Sequence, residues 1–360
     1  MVTLEQIPSF YRDKKVLLTG HTGFKGSWLA LWLYHLGARI KGIALAPEED
    51  APLYHQLEGD SLLDSCIGDI RNLKWLRQEV LSFEPDYIFH LAAQPLVRSG
   101  YETPVYTYEA NVMGTIHLLE SVRSLPGACQ VVLVTTDKVY ENLETDYAYR
   151  ESDKLGGFDP YSASKACCEI AISSYRNSFF NPGRYSIHKK SVASARAGNV
   201  IGGGDRAKDR ILPDIVRALE QNHRLSVRNP DAVRPWQHVL EPLAGYLQLG
   251  ACMQTDPVKF ASAYNFGPDE SDVLSVRELV QKAFDHWGTA GQFDFPSLPD
   301  ALHEAGLLRL DSSKARTELG WIPRYNSCEA IRHTLDWYRN AASSPAGFSL
   351  NQIESYLNHA

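Results

Sequence analysis

The chain has 360 residues, of which 44% are hydrophobic and 22% charged, with a formal net charge of −7. This balance is typical of a globular protein and excludes a disordered or fibrous chain, and the absence of a long basic block argues against nucleic-acid binding. No apolar run reaches the roughly 20 residues of a membrane span, and the polar start does not resemble a secretory signal. We therefore expect a soluble, cytoplasmic protein that has reduced cysteines, no metal site and no membrane contact.

The first half of the chain alternates short β-branched runs with helical segments. This pattern predicts an α/β fold with a doubly wound parallel sheet, the Rossmann arrangement. The predicted strands are Lys15–Thr19, Arg39–Leu45, Leu62–Ile67, Tyr87–Leu91, Gln130–Thr135 and Ser191–Ala195. The predicted helices run from the turn at Gly20–Gly26 to about Leu36, over Val105–Arg123 and over Tyr161–Phe180.

The turn after the first strand, Gly20-His21-Thr22-Gly23-Phe24-Lys25-Gly26, has GxxGxxG spacing. Glycines allow a sharp turn and a close approach to a pyrophosphate, whose charge then meets free N–H groups at the positive end of a helix dipole. The second strand runs into Glu48 and Glu49 and offers no basic group for a 2′-phosphate, so we predict NAD rather than NADP. The expected cofactor-binding residues are Gly20, Thr22, Gly23, Phe24, Lys25, Gly26, Asp69, Ile70, Leu91, Ala92, Ala93, Tyr161 and Lys165.

Two polar residues near the predicted cofactor site, Asp69 and Asn111, each allow two interpretations. Asp69 follows the third strand, where it can accept a hydrogen bond from an adenine amino group or simply cap a turn. Asn111, on the helix after the fourth strand, can fix a water or a backbone carbonyl near the site, although a helix-interior Asn more often faces solvent. The small residues around Leu91–Ala93 suit a backbone that passes beneath a cofactor.

Tyr161 and Lys165 lie four residues apart on a helix that Pro160 can open, so they share one face. An adjacent ammonium stabilises a phenolate and lowers the pKa of the tyrosine, which can then take a proton from a sugar hydroxyl. A solvent-facing Tyr–Lys pair is the alternative interpretation.

The fifth strand ends in Thr136, Asp137 and Lys138, at the sheet edge where ligands of open α/β proteins bind. Thr136 can hydrogen-bond the hydroxyl that Tyr161 deprotonates, and Asp137 and Lys138 can act as acid and base. A solvated turn at the strand end is the alternative. The predicted catalytic residues are therefore Thr136, Asp137, Lys138, Tyr161 and Lys165.

Beyond Gly202–Gly204 helical segments dominate, at Pro213–Gln221, Glu241–Met253, Val276–His286, Ser312–Leu319 and Cys328–Ala341. We predict an NAD-binding Rossmann domain over residues 1–198, a smaller, mostly helical substrate lobe over 199–345, and a tail over 346–360 with a weak helical pattern at Ser349–Leu357. The chain is free to cross between the lobes more than once.

Several segments together resemble the nucleotide-sugar branch of the extended short-chain dehydrogenase/reductase superfamily. They are Gly20–Gly26, His90–Gln94, Asn111, Thr136 and the Tyr161/Lys165 pair. Within this branch, Thr136–Asn142, Asp159–Lys165 and Arg234–Val239 are similar to the CDP-glucose 4,6-dehydratase family. The resemblance covers about Lys15–Tyr338 and implies an NAD-dependent lyase of deoxysugar and lipopolysaccharide O-antigen biosynthesis.

The resemblance also implies a reaction. Tyr161 would deprotonate the C4 hydroxyl as hydride passes from C4 to NAD, water would leave across C5–C6, and hydride would return to C6 to give CDP-4-keto-6-deoxyglucose. Asp137 would be the acid for the departing C6 hydroxyl. Lys138 replaces a Glu base of the dTDP-glucose enzymes, which requires a neutral amine; which group removes the C5 proton stays open.

The expected substrate-binding residues are Gln94, Asn199, Arg210, Arg234 and Arg309. The resemblance places Asn199 at the pyrophosphate, and a guanidinium such as that of Arg234 can contact phosphate oxygens through paired donors. Any single Arg is more often a surface ion-pair partner. Leu225–Asn229 is a candidate lining of the base pocket.

Three other functions remain open from the sequence: a UDP-N-acetylhexosamine 4,6-dehydratase, a nucleotide-sugar 4-epimerase and a non-catalytic NAD-sensing scaffold. The intact Thr136, Tyr161 and Lys165 argue against the scaffold. The apolar faces of the helices at Val105–Arg123 and Tyr161–Phe180 can pair across a two-fold axis, so we expect a homodimer or homotetramer.

Overall fold

The computed structural model describes residues 2–47, 52–207, 210–227, 229–289, 293–295 and 306–359. Glu48 and Glu49, and one residue of the predicted base-pocket segment 225–229, lie outside these ranges.

The strands of the described residues alternate with helices through the first half of the chain. The strands are Lys15–Thr19 (β1), Arg39–Ala44 (β2), Asp64–Ile67 (β3), Tyr87–His90 (β4), Cys129–Val134 (β5), Ala148–Tyr149 (β6), Lys190–Ala197 (β7), Asn199–Ile201 (β8), Leu225–Ser226 (β9), Val233–Arg234 (β10), Trp236–His238 (β11), Ala263–Phe266 (β12), Leu274–Ser275 (β13), Phe293–Asp294 (β14) and Arg309–Leu310 (β15).

The α-helices that the structure describes are Ile7–Tyr11 (α1), Phe24–His35 (α2), Leu53–Gln56 (α3), Gly59–Leu62 (α4), Leu73–Phe83 (α5), Val97–Glu102 (α6), Pro104–Tyr108 (α7), Gly114–Arg123 (α8), Pro160–Ser178 (α9), Tyr185–His188 (α10), Ile211–Gln221 (α11), Leu240–Thr255 (α12), Val276–Trp287 (α13), Ser327–Asn340 (α14) and Pro345–Leu357 (α15). Two π-helical turns, Glu109–Met113 and Ala315–Leu319, and short 3₁₀ turns join some of them.

Within the described ranges, seven strands form one parallel sheet in the order β12-β7-β5-β4-β1-β2-β3. The order reverses between β1 and β4, and the carboxyl ends of β1, β4, β5 and β7 meet at one edge. Crevices outside this edge are where open α/β sheets bind ligands. The predicted doubly wound Rossmann fold is confirmed.

Two apolar layers cover the sheet. One core packs α2, α12, α14 and α15 against one face, and its largest fully buried side chains include Trp28, Trp32 and Trp321. The other core packs α5, α8 and α9 against the opposite face, with Leu118, Val131 and Ile172 fully buried. The helices that carry the predicted cofactor turn and catalytic pair therefore lie on opposite faces and converge at the sheet edge.

The second half of the chain returns to the sheet. The sequence allowed for such a crossing between the two predicted lobes. Helix α12 is almost wholly buried and leads to β12, which pairs with β7 as an edge strand. This strand was not predicted, because a four-residue run carries too little periodicity to identify it. The domain boundary at residue 198 stays a prediction. Residues 263–266, which lie in the predicted substrate lobe, belong to the Rossmann sheet in the structure.

The predicted helix over Val105–Arg123 is present with one difference. The run is helical from Pro104 to Arg123 but widens into the π-helical turn Glu109–Met113, which contains Asn111. The tail forms α15, longer than the Ser349–Leu357 pattern indicated, and it packs on α2. In the part of the chain that the structure describes, no helix is long and apolar enough to cross a membrane.

Candidate active site

A cavity lies at the carboxyl ends of the central strands, directly above the glycine-rich turn. Its lining residues are Gly20, Thr22, Gly23, Phe24, Lys25, Gly26, Ala44, Leu45, Gly68, Asp69, Ile70, Leu91, Ala92, Ala93, Pro95, Tyr106, Ala110 and Arg210. Every residue predicted for the cofactor site lines this cleft except Tyr161 and Lys165. The prediction missed Ala44, Leu45, Gly68, Pro95, Tyr106 and Ala110, because glycine and neutral or apolar side chains carry little chemical signal in a single sequence.

Two glycines of the turn are required by close backbone approach. Gly20 has φ +78°, and a Cβ there would lie 2.7 Å from the Ala92 nitrogen. A Cβ on Gly26 would lie 1.9 Å from the Gly20 carbonyl oxygen. The first turn of α2 therefore sits tight against the loop before it and lines the cleft. A helix N-terminus in this position is suited to bind a pyrophosphate.

Asp69 is a turn residue in the structure, and its predicted hydrogen bond with an adenine amino group stays a prediction. Its carboxylate accepts from the Arg71 backbone N–H at 2.8 Å and from the Arg71 guanidinium at 2.7 and 2.8 Å, which makes it a turn residue. It also lines the cleft. Burial disfavours the charge of Asp69, but the hydrogen bonds from Arg71 hold its pKa below the usual value. The helix that follows is capped by Asn72 instead.

Tyr161 and Lys165 occupy the first turns of α9, where Pro160 is the first helical residue and Asp159 caps the helix by accepting from Ser162 N at 2.9 Å. Both side chains are buried, at 8% and 7% exposure, which is against a solvent-facing pair. Lys165 Nζ donates to the Val134 carbonyl oxygen at 3.3 Å. The catalytic helix is thereby tied to the end of β5.

The predicted lowering of the Tyr161 pKa is wrong for the protein without ligands. Burial raises the pKa of Tyr161 to about 12, against the opposing effect of a hydrogen bond with Thr136. Burial likewise lowers the pKa of Lys165. The sequence alone could not predict these pKa shifts, because the burial of both side chains is set by the packing of α9 against the sheet.

Thr136, Asp137 and Lys138 form a compact group after β5. Asp137 is fully buried, and its Oδ1 accepts from Thr136 Oγ1 at 2.9 Å and from Lys138 Nζ at 3.2 Å. Its Oδ2 has no hydrogen-bond partner among the residues that the structure describes. Lys138 Nζ also donates to Asn199 Oδ1 at 3.4 Å, from the neighbouring strand β8. The alternative interpretation, a solvated turn at the end of the strand, is therefore not found.

Asn111 locks the end of β4 to the catalytic helix. Its Oδ1 accepts from Gln94 N at 2.8 Å, while its Nδ2 donates to the Gln94 carbonyl at 3.1 Å and to Ser164 Oγ at 2.9 Å. The expectation that this amide fixes a backbone carbonyl near the site is confirmed, and the residue is 1% exposed.

A buried ion pair behind the site was missed by the sequence reasoning. Glu169, one turn after Lys165, accepts from Thr135 Oγ1 at 2.5 Å, Ser194 Oγ at 2.8 Å and Arg196 Nη2 at 2.8 Å. These contacts join α9 to β5 and β7 next to Thr136. Glu169 follows Lys165 by one helical turn, which places it near the site and was the available signal in the sequence. Its partner Arg196 on β7 is distant in sequence, so the ion pair could not be predicted.

The five predicted substrate-binding residues lie in different surroundings, and one of them, Arg210, lines the cofactor cleft. Arg210 lines the cleft and donates to Asp205 at 2.8 Å, and Asn199 meets Lys138. The Gln94 side chain donates to Thr107 Oγ1 and accepts from Leu96 N. Arg234 donates to the Gly306 carbonyl at 3.0 Å. Arg309 forms an ion pair with Asp146 at 2.6 Å. Their contacts with a substrate stay predictions.

Comparisons with known proteins agree with this geometry. The family model for GDP-mannose 4,6 dehydratase matches residues 17–334. The CDP-glucose 4,6-dehydratase of Salmonella typhimurium is 47% identical over 92% of this chain and 92% of its own length. The CDP-paratose 2-epimerase of Salmonella typhi is 25% identical over 90% of this chain and 98% of its own length.

Among solved structures, a double mutant of the dTDP-glucose 4,6-dehydratase DesIV from Streptomyces venezuelae, with NAD and DAU bound, superposes with a TM-score of 0.78. The two chains are 23% identical, and the match covers 92% of this chain and 99% of the other. At this identity the superposition establishes the fold.

Proposed function

The chain belongs to the GDP-mannose 4,6-dehydratase family, and on that basis we propose that it converts CDP-glucose to CDP-4-keto-6-deoxyglucose and water, with NAD as cofactor. The observation that carries the proposal is the 47% identity to a CDP-glucose 4,6-dehydratase along 92% of both chains. A relative with another activity on a CDP-linked sugar shares only 25%.

The cleft fits NAD by its own chemistry. The glycine-rich turn and the N-terminus of α2 line the cleft, and a helix N-terminus provides backbone N–H groups that can bind a pyrophosphate. At the end of β2 the lining residues Ala44 and Leu45 are apolar, and neither offers a cation for a 2′-phosphate. Bound NAD would accept the hydride from C4, return it to C6 and place a positive ring near the phenol.

Tyr161 is proposed as the group that takes the C4 hydroxyl proton, with Thr136 hydrogen-bonded to it. Burial raises the pKa of the phenol, and a positive charge brought by a bound ligand would lower it again. Lys165 is proposed to hold the cofactor and to favour the phenolate. Its place between the Val134 carbonyl and Glu169 keeps the ammonium close to the reacting end of the cleft.

Asp137 is proposed as the acid for the C6 hydroxyl. One of its oxygens already accepts from Thr136 and Lys138, whereas Oδ2 is buried without a partner in the described part of the chain. A carboxyl oxygen in that position can carry a proton and release it to a leaving hydroxyl. Lys138, held between Asp137 and Asn199, is proposed to assist at C5.

We assign substrate binding to residues of the segment 199–345, of which strand β12 joins the Rossmann sheet. Arg210 is the guanidinium on which this assignment depends most, because it lines the same cleft as the cofactor turn. Gln94, Asn199, Arg234 and Arg309 remain proposed contacts of the nucleotide sugar.

The test of the proposed function is a pair of separate incubations, one with CDP-glucose and one with UDP-N-acetylglucosamine. We expect only CDP-glucose to yield a product lighter by one water. Turnover of only the UDP sugar would indicate a UDP-N-acetylhexosamine dehydratase, and a product of unchanged mass would indicate a 4-epimerase.

We also propose that two copies of the chain pair through the helical face formed by α7, the π-turn Glu109–Met113 and α9. Large apolar side chains remain exposed there: Val105, Tyr108, Met113, Ile170 and Phe179. These elements pack side by side in one chain. A self-complementary apolar face of this kind suits a two-fold homodimer.

A further inference from the structure

Lys25 contributes an amine to the cofactor cleft. It is the second residue of α2, so its backbone belongs to the glycine-rich turn, and its side chain lines the cavity. Its Nζ lies 5.8 Å from the centre of the Tyr246 ring. Among the described residues, Lys25 has no hydrogen-bond or ion-pair partner, which is unusual for a lysine away from open solvent.

The charged groups that act on Lys25 come from each element packed around it. Lys165 of α9 and Arg210 before α11 are cations, Asp137 after β5 is an anion, and Tyr246 of α12 is a buried phenol. Two carboxylates in this region of the described structure already have cationic partners. Asp137 holds Lys138 at 3.2 Å, and Asp205 holds Arg210 at 2.8 Å.

This environment disfavours a charged Lys25 while the cleft holds no anion. Burial, followed by the charges of Lys165 and Arg210, lowers the pKa of Lys25 to about 7, and Asp137 opposes the change. Near neutral pH the free protein is therefore a mixture of amine and ammonium forms. An anion that enters the cleft would favour the ammonium.

We propose that Lys25 takes up a proton when a diphosphate-bearing ligand enters the cleft, and that this uptake couples cofactor binding to pH. The inference rests on the proposed function for the identity of the ligand. Both the dinucleotide and the nucleotide sugar carry a diphosphate. The dinucleotide is favoured, because Lys25 is part of the turn that would hold it and lines the same cleft.

The coupling has a definite sign. A proton gained on binding makes the affinity fall as the proton becomes scarcer, by up to tenfold for each pH unit above about 7. The fall ends where Lys25 of the bound form also loses its proton. A permanently charged side chain at this position would give an affinity without this slope.

The experiment is calorimetric titration of nucleotide-free protein with NAD, and separately with CDP, at pH 7 to 9 in buffers that differ in ionisation enthalpy. We expect the wild type to take up a fraction of a proton with NAD, rising towards one with pH. Lys25→Gln should bind NAD weakly without that uptake, and Lys25→Arg should bind it at all these pH values, again without uptake. Lys74→Gln, on the exposed face of α5, is the matched control and should behave like the wild type.

Equal uptake in the wild type and Lys25→Gln, or none in the wild type, would overturn the inference. Uptake with CDP but not with NAD would overturn the choice of the dinucleotide. These outcomes are separate from the proposed function, since water loss from CDP-glucose is measured independently: product formation without proton uptake removes only the role of Lys25.

Discussion

Lys138 Nζ lies 3.2 Å from Asp137 Oδ1, so the two side chains that distinguish this site form one hydrogen-bonded pair at the end of β5. The pair leaves Asp137 Oδ2 as the buried oxygen without a partner among the described residues. The carboxyl group proposed as the acid for dehydration therefore has two oxygens that differ: one is anchored, and the other is available to a substrate.

Asp137→Asn should separate oxidation from dehydration. The amide keeps the shape of the carboxyl but cannot give a proton to the C6 hydroxyl, so we expect water loss to fall by roughly 10² to 10⁴. Hydride transfer to the cofactor should persist, visible as absorbance of reduced nicotinamide. Asp231→Asn, at an exposed ion pair with Arg277, is the control and should leave both steps unchanged. Undiminished water loss in Asp137→Asn would remove this role.

Tyr161→Phe should abolish both steps, because the C4 hydroxyl then has no base. We expect a loss of roughly 10² to 10⁴ in kcat for product formation, without reduced nicotinamide on mixing with CDP-glucose. Tyr175→Phe, on the same helix, is the matched control, since that hydroxyl donates to Glu120 away from the cleft. Full turnover of Tyr161→Phe would remove the proposed role of Tyr161 as the base, whereas a non-catalytic scaffold would show no turnover even in the wild type.

Gly26→Ala should disrupt the cofactor turn. Its Cβ would lie 1.9 Å from the Gly20 carbonyl oxygen, a contact that only backbone movement can relieve. We expect a loss of about 3 kcal/mol in the free energy of unfolding and failure to retain NAD. Gly127→Ala provides the comparison, because a Cβ there meets nothing within 4 Å. Both quantities are accessible from denaturant unfolding and from the nucleotide content of the purified protein.

Ile170→Glu should convert the proposed dimer to a monomer, because it places a charge in the centre of an apolar interface. Ile170 is 57% exposed within one chain, so the substitution should leave the fold of the chain intact. Light scattering after size-exclusion chromatography measures the mass. Ile187→Glu, at a residue 70% exposed on α10, is the control and should keep the wild-type mass. An unchanged mass for Ile170→Glu would place any interface elsewhere.

Local patterns predicted much of the fold and of the site. The strand–turn–helix unit around Gly20–Gly26 and the position of Tyr161 and Lys165 one turn apart on a single helix follow from spacings within a few residues, and the structure has both. What could not be predicted depends on contacts distant in sequence. Strand β12 reaches the sheet only through its pairing with β7, and Glu169 finds Arg196 across that same region.

The electrostatics of the site shows the same limit. The Tyr161 pKa was expected to fall because Lys165 is near in sequence, yet burial, a property of the whole fold, raises it. Lys25 was identified as a residue of the turn, but the groups that act on its charge come from four separate elements distant in sequence.

The most direct test of the central claim follows the hydride itself. CDP-glucose labelled with deuterium at C4 is incubated with the protein and NAD, and the product is analysed by mass and nuclear magnetic resonance. A 4,6-dehydratase that carries hydride from C4 to C6 should give a product lighter by one water, with the deuterium in its C6 methyl group. Deuterium that stays at C4, or a product that has kept its C6 hydroxyl, would contradict the account.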